Sequence, residues 1–503
     1  MDVLEFGQLM LDEFPFEPTD QQIQLTAALA RFCSAQTPQD TVFILNGYAG
    51  TGKTSVMGAL VRSLNKVGLR TVLLASTGRA AKVLANHTGF PAYTIHRKIY
   101  AGHAIAADGA YMAKVRPNPH VNTIFIVDEA SMIGQGNDGG MNLLQDLVMY
   151  VYSGVNCKLI LLGDTAQLPP VGSVESPAMS APAFKALGLK VMRATITRTV
   201  RQRRQSGILY NATWLRRAMQ KPDELPEPQI TVGDFDDVAV VIPEDLEDEL
   251  GMSFAEFGEE QTIMITRSNR RAVDFNLAIR QQIFDREEIL AKGDRLIISK
   301  NNYFWTTRAR RLRADQLREA ADNSVEISGL PIPEVGEKEA RENPIPDFLA
   351  NGEVGVVEEI LATETRDAIM FADVQLRLVD SGALIETKII LDALTSEVAG
   401  LDRAKYETIG RRALADAGVT TASPTAQREA LHNDPYFNAL QVKYAYAVTC
   451  HKAQGGQWDS VFVDMGYIAP EAYRTIDFYR WLYTSVTRAT RRLTLLSPSC
   501  PIK

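Results

Sequence analysis

The sequence lacks the usual marks of a secreted or membrane-spanning chain. No apolar run approaches the roughly 18 residues that a spanning helix needs. The amino terminus, Met1-Asp-Val-Leu-Glu-Phe, is acidic where an export signal is basic. Cysteine is scarce: Cys33, Cys157, Cys450 and Cys500 lie far apart, with no CxxC pair to suggest zinc or a redox site. Each is expected to be a buried free thiol, which points to a reducing, cytoplasmic setting. An excess of positive charge is missing too. With 53 Lys+Arg against 61 Asp+Glu the net charge is −8, so a polyanion site must be a local groove, because the surface as a whole repels one. Repeats and low-complexity tracts are absent. What remains is 503 residues, 46% hydrophobic and 23% charged, enough for about three or four globular units.

Short, continuous apolar runs punctuate the first two hundred positions: Val42-Phe-Ile-Leu45, Val72-Leu-Leu-Ala75, Ile124-Phe-Ile-Val127 and Leu159-Ile-Leu-Leu162. Continuous runs, as opposed to alternating ones, are what parallel strands covered on both faces require. Helix-length stretches such as Ser55–Val67 and 78–85 separate them, so the fold class is α/β with a parallel sheet. A second set, Ile263-Met-Ile265, Val461-Phe-Val463 and Leu493-Thr-Leu-Leu496, is split by nearly two hundred residues, which implies an insert. Within it, Gly352-Glu-Val-Gly355-Val-Val357 and Asp373–Val379 predict antiparallel strands with tight glycine turns, a small β-barrel-like module. Residues 321–348 and 395–437, charged and proline-punctuated, are expected to be loops or surface helices.

Chemistry enters with Gly47-Tyr-Ala-Gly-Thr-Gly52-Lys53-Thr54, a GxxxxGK[ST] pattern set between a strand and a helix. Gly50 and Gly52 let backbone N–H groups turn inward around phosphate oxygens at a helix amino terminus. Lys53 is expected to reach the β- and γ-phosphates and the Thr54 hydroxyl to ligate Mg²⁺. Nucleotide contacts are thus expected over Gly47, Gly50, Thr51, Gly52, Lys53, Thr54 and Ser55. A buried strand then ends in Asp128-Glu129, where α/β sheets place ligands. Asp128 is expected to hold Mg²⁺ and Glu129 to act as general base toward water. A third buried strand leads to Gly163-Asp164-Thr-Ala-Gln167, whose amide can bond a γ-phosphate. A nucleoside-triphosphate-hydrolysing site is the reading of the first two runs together.

With Tyr444–Gly455 and Tyr483–Arg488, these motifs resemble the superfamily 1 helicases, and most closely the RecD-like and Dda-like branch, superfamily 1B. The likeness runs from about Thr19 to Leu496 and is weakest across the insert. It implies two RecA-like motor domains, the first over residues 1–200 and the second over 201–295 and 441–503. A wedge at 98–121 and an SH3-like β-rich module at 296–440 are implied as inserts. It implies that Gln22 reads the adenine and that Ser76-Thr77-Gly-Arg79 and Thr94-Ile-His96 contact DNA. Arg201, in Thr199-Val-Arg-Gln202, would meet the γ-phosphate, although in isolation it reads as one surface arginine in the run Arg198–Arg204. Ile265–Asn269, with Asn276 and Arg280, resembles the start of the second motor domain. Thr449-Cys-His451 and the following Gly455 resemble the motif that links DNA to nucleotide, and Arg488 resembles a second arginine finger.

The implied activity is ATP- and Mg²⁺-dependent translocation on single-stranded DNA, 5′→3′, with unwinding of forked duplex. The implied setting is a monomer acting in DNA repair, replication or recombination beside single-stranded-DNA-binding or replication and repair proteins. Three other readings share the ATP motifs: an RNA-directed motor, an ATPase that remodels protein–DNA or RNA complexes without unwinding, and a nucleotide-dependent binding switch. The basic run Arg308–Arg313, next to Tyr303-Phe-Trp305, reads either as a single-strand contact or as a solvated helical face.

Overall fold

A computed structural model describes residues 2–105, 111–134, 142–198, 206–324, 345–346, 348–398, 400–466 and 468–496. Arg201, Cys500 and most of 321–348 lie outside the described residues. The chain divides into two compact units, residues 1–265 with 450–503, and residues 266–449. Among the described residues no helix is long and apolar enough to cross a membrane. Cys33, Cys157 and Cys450 are free and buried, and burial pushes the thiols of Cys33 and Cys450 up to about 12.

The first unit is organised by a six-stranded sheet in the order Ala92–Thr94, Arg70–Ala75, Thr123–Asp128, Lys158–Gly163, Thr41–Gly47, Lys190–Ile196. Every neighbouring pair is parallel. The continuous apolar runs follow from burial on both faces. Val42, Ile44, Phe125, Val127, Leu159 and Leu161 point into one core cluster. Phe43, Leu45, Ile124, Ile126, Ile160 and Leu162 point into another, which packs against the helices Val3–Asp12, Asp20–Cys33 and Lys53–Lys66. Because strands 123–128, 158–163 and 41–47 are adjacent and parallel, their carboxyl ends emerge side by side: Asn46 pairs with Gly163 and Val127 with Leu161. This register delivers all three predicted chemical runs to one rim.

The strands foreseen around Ile263, Val461 and Leu493 form a second sheet. In this unit its strands run in the order Thr262–Thr266, Trp458–Asp464, Ala489–Leu496, Val238–Val241, and the last three are mutually parallel. A two-stranded antiparallel hairpin, Tyr100–Ile105 with Tyr111–Val115, stands where a wedge was expected. Its base is anchored: the Tyr100 hydroxyl donates to Asp146 Oδ2 at 2.7 Å, and Arg116 Nε donates to the Tyr100 carbonyl at 2.5 Å.

The second unit holds a closed five-stranded barrel, Arg295–Ile298, Val354–Arg366, Ile369–Leu378, Leu384–Ile390 and Leu440–Tyr444. One seam, between Leu384–Ile390 and Leu440–Tyr444, is parallel. Its first hairpin is longer than the sequence suggested, and its tight turn is Asp367-Ala368, both at positive φ (50° and 60°), as a two-residue type I′ turn demands. Glycine is needed elsewhere: a Cβ on Gly355 would lie 2.8 Å from Leu376 Cδ1. Helices Arg403–Asp416 and Pro424–Asn433 account for much of the charged stretch 395–437. Asp294, fully buried, accepts from Arg280 Nε and Nη2 at 2.9 Å each, from Arg286 Nη1 at 3.2 Å and from the Ala291 N–H at 2.8 Å. Asn276 accepts the N–H groups of Tyr446 and Ala447 at 3.0 and 2.9 Å. Asn276 and Arg280 therefore fasten this unit internally.

Candidate nucleotide site

The phosphate loop is held open by backbone that only glycine adopts freely. Gly50 and Gly52 have φ of 73° and 80°, and Gly52 caps the helix Lys53–Lys66 without a side-chain bond. A Cβ on Gly47 would lie 2.7 Å from Lys53 Cγ and 2.8 Å from Ile196 Cγ1. The cradle is thus tight where the lysine passes, and its positive-φ glycines give the backbone freedom that a polyphosphate-wrapping loop needs. The Lys53 ammonium donates to the Gly47 and Tyr48 carbonyls. Thr51 closes the turn by donating its hydroxyl to the Tyr48 carbonyl at 2.8 Å. Thr54 and Ser55 are half-buried in the first helical turn. Gln22 is buried and works locally: its amide oxygen accepts the Thr19 N–H at 2.9 Å in a capping box, and its Nε2 donates to the Thr51 carbonyl at 3.3 Å. The chain neighbour Gln21 accepts the N–H groups of Thr197 and Arg198 at 2.9 Å each.

Asp128 ends its strand and accepts the Glu129 N–H at 2.8 Å. Glu129 sits at φ 51°, ψ 38°, a left-handed conformation that costs a non-glycine residue on the order of 1 kcal/mol and recurs at functional sites. Burial raises the Asp128 carboxyl, with Lys53 pulling it back down. Burial raises Glu129 as well, followed by the Asp128 charge, while Arg488 and Lys53 oppose the rise. A recessed carboxylate with a raised pKa beside two cations is the electrostatic setting of a general base.

The loop after strand 158–163 is gripped by the C-terminal part of the same unit. Gln454 Nε2 donates to the Leu168 carbonyl at 2.7 Å, and the Leu168 N–H donates to the Thr484 hydroxyl at 2.9 Å. The Tyr483 hydroxyl donates to Asp164 Oδ2 at 2.7 Å and accepts the Ala49 N–H of the phosphate loop at 3.0 Å. Asp164 Oδ1 in turn accepts the Ala166 N–H at 2.9 Å. Gln167 is 6% exposed, and its amide oxygen is buried without a hydrogen-bond partner. Arg488 is 3% exposed; its Nε donates to the Thr484 carbonyl at 3.0 Å and its Nη1 to the Gly456 carbonyl at 3.1 Å.

Five of the residues assigned to DNA, Thr77, Arg79, Thr94, His96 and His451, lie in this unit. Thr77 and Thr94 are helix N-caps, accepting the N–H groups of Ala80 and Arg97 at 3.2 Å each. Gly455, at φ 73°, packs so closely that a Cβ would lie 3.0 Å from Thr77 Oγ1, which joins two motifs far apart in sequence. Arg79 lies over the Trp458 ring at 4.0 Å and donates to the Gln457 carbonyl at 2.7 Å. His96 packs beside Tyr100, ring centroids 5.7 Å apart, and His451 is exposed on the short helix Cys450–Ala453. Thr449 ends the strand Ala447–Thr449 of the second unit. Arg201 lies outside the described residues.

Sequence reasoning passed over Asp164, Tyr483 and Arg216. Asp164 repeats the signal used for Asp128, a carboxylate at the end of a buried strand. Arg216 gave no local signal: it lies on the helix Gly207–Ala218, 9% exposed, with its guanidinium 4.5 Å from the Tyr48 ring centroid and Nε unpartnered.

A glycine-framed phosphate loop and two strand-end carboxylates on a parallel sheet have the arrangement of a phosphate-loop nucleotide site, and a second sheet with mutually parallel strands follows in the chain. Residues 22–221 match the AAA domain model, and residues 444–496 match the UvrD-like helicase C-terminal domain model. The chain is 34% identical over 145 residues to an ATP-dependent RecD2 DNA helicase of Deinococcus radiodurans, covering 28% of this chain and 18% of that protein. It is 28% identical over 161 residues to a probable conjugal transfer protein TraA of Sinorhizobium fredii, covering 32% of this chain and 12% of that one. The matched stretch therefore spans less than a fifth of either relative. Among solved structures, a Pif1 helicase from Bacteroides in complex with ADP-AlF3 and ssDNA aligns with a TM-score of 0.46 at 14% identity, over 96% of this chain and 93% of that one. The chain thus matches an AAA domain model and a UvrD-like helicase C-terminal domain model, and over part of its length it is similar to a RecD2 DNA helicase.

Proposed function

We propose that the protein is an ATP-driven motor that moves 5′→3′ on single-stranded DNA and separates the duplex ahead of it. The observation that carries this reading is the four-bond grip of Gln454, Tyr483 and Thr484 on the loop 164–168 and the phosphate loop. A nucleotide site assembled from both halves of a motor converts binding and release of ATP into relative movement. In this reading Lys53 holds the β- and γ-phosphates, Thr54 and Asp128 hold Mg²⁺, and Gln22 contacts the base. Mg²⁺ supplies charge neutralisation between the phosphates. Glu129 takes the proton of the attacking water, Gln167 registers the γ-phosphate, and Arg201 and Arg488 stabilise the charge that develops on it. Thr77, Thr94 and Thr449 meet DNA phosphates through hydroxyl and backbone N–H groups, His96 and His451 flank the strand, and Arg79 is braced on Trp458. The hairpin 100–115 is the strand-separating wedge.

The test compares duplexes bearing a 5′ or a 3′ single-stranded tail in the presence of ATP and Mg²⁺. The 5′-tailed substrate should be opened, and Lys53→Ala should abolish opening while leaving the protein folded. Opening of neither substrate refutes the motor reading. Deleting residues 102–119 should remove unwinding and spare DNA-stimulated hydrolysis; retained unwinding places the wedge elsewhere.

A further inference from the structure

We infer that Tyr483 is a positioning residue for ATP hydrolysis, setting the loop that carries Gln167 against the phosphate loop through a single hydroxyl. The inference deepens the ATP-hydrolysing reading and rests on it. The hydroxyl is saturated in one direction only: it accepts the Ala49 N–H at 3.0 Å and donates to Asp164 Oδ2 at 2.7 Å. The second oxygen of Asp164 fixes the Ala166 N–H at 2.9 Å, one residue before Gln167. A change at the phosphate loop therefore reaches the residue before Gln167 through three hydrogen bonds, two of them to a carboxylate and hence among the stronger kind.

The ring cannot drift to relax this link. Tyr483 is 1% exposed on the helix Ile476–Val486, and the next residue, Thr484, accepts the Leu168 N–H at 2.9 Å. One helical turn thus pins both ends of the segment 164–168. Two residues beyond that helix comes Arg488, whose Nε returns to the Thr484 carbonyl at 3.0 Å. The tyrosine consequently ties the phosphate loop to the segment that presents Arg488, as well as to the segment that presents Gln167. A phenylalanine would fill the same space and break both bonds, leaving a half-buried amide and a carboxylate oxygen to find other partners.

Steady-state ATP hydrolysis with saturating single-stranded DNA tests the link, using Tyr483→Phe, Asp164→Asn and the double variant. The expected result is a kcat about tenfold lower for each single variant with KM for ATP within about twofold of the parent, the signature of an interaction realised in the reacting arrangement. The double variant should be no slower than the slower single one, because both break the same connection. Parental turnover in folded Tyr483→Phe, or effects that multiply in the double variant, overturns the inference. If Tyr483→Phe fails to fold, judged by thermal melting, Asp164→Asn decides alone: a lowered kcat at unchanged KM sustains the link, and parental turnover overturns it. A parent that hydrolyses no ATP refutes the functional reading and not the link.

Discussion

The two units treat buried charge in opposite ways. In the second unit the fully buried Asp294 is met by Arg280, Arg286 and the Ala291 N–H. Lys388 there is likewise bound by Glu364 at 2.7 Å and Asp373 at 2.9 Å. In the first unit, around the phosphate loop, Asp128 and Glu129 stand side by side with raised pKa values, and Gln167 Oε1 and Arg216 Nε have no partner. Saturated charges hold a shape, whereas groups kept short of partners retain capacity for a ligand. The contrast teaches that buried polarity marks function here by incompleteness, and that a count of buried ionic groups would rank the two regions the wrong way round.

The comparison can be broken most decisively at Arg488. Arg488→Ala should lower ATP turnover by about 10³-fold, the lower end for an arginine finger, while a fluorescent ATP analogue still binds; normal turnover would remove Arg488 from the chemistry. Asp294→Ala should act on the other side, reducing unfolding free energy by about 3–5 kcal/mol because two guanidinium groups lose their buried partner. Urea titration monitored by circular dichroism checks it, and a loss below about 1 kcal/mol would erase the distinction. Gln167→Met, which removes the unpartnered acceptor at similar volume, should raise stability by about 1 kcal/mol and still slow hydrolysis. A variant that is both less stable and fully active would contradict the idea that incompleteness serves the ligand.

The smallest effect is a pH dependence at Lys452, whose ammonium burial pushes down to about 8. Its unfolded value is near 10.5. Between those limits the unfolded chain holds more protons than the folded one, so this group's contribution to stability rises with pH from about 8 to 10.5 and is least favourable below 8. Lys452→Met should flatten that rise and add on the order of 1 kcal/mol at pH 7, read from denaturation midpoints across the pH range.

Much of this was legible in the chain because the signals were local. Continuous apolar strands exposed the parallel sheets, and the glycine spacing of the loop exposed the cradle. Turn chemistry was less readable: Asp367-Ala368 carries no glycine, so the long hairpin it closes looked shorter. The roles of Thr77 and Thr94 as caps follow from ordinary helix rules, yet Gly455 against Thr77 joins positions nearly four hundred residues apart, which no local pattern announces. Tyr483 was visible as a letter in a motif but its two partners, Ala49 and Asp164, were not, since hydrogen bonds across the fold leave no periodicity. Arg216 lies on an amphipathic helix where a buried cation looks like any other arginine.

The threading of the first unit has a consequence for biosynthesis. Val238 pairs with Leu493, so the ribosome makes the strand Val238–Val241 long before its neighbour exists. At about 5–20 residues per second this interval is on the order of tens of seconds. Throughout it the nascent chain carries an unfinished sheet with an open flank, a template for mispairing, while the intervening barrel is still being synthesised and can fold on its own schedule. Chaperone demand during translation should therefore peak after the barrel emerges and end with the last strand, Ala489–Leu496.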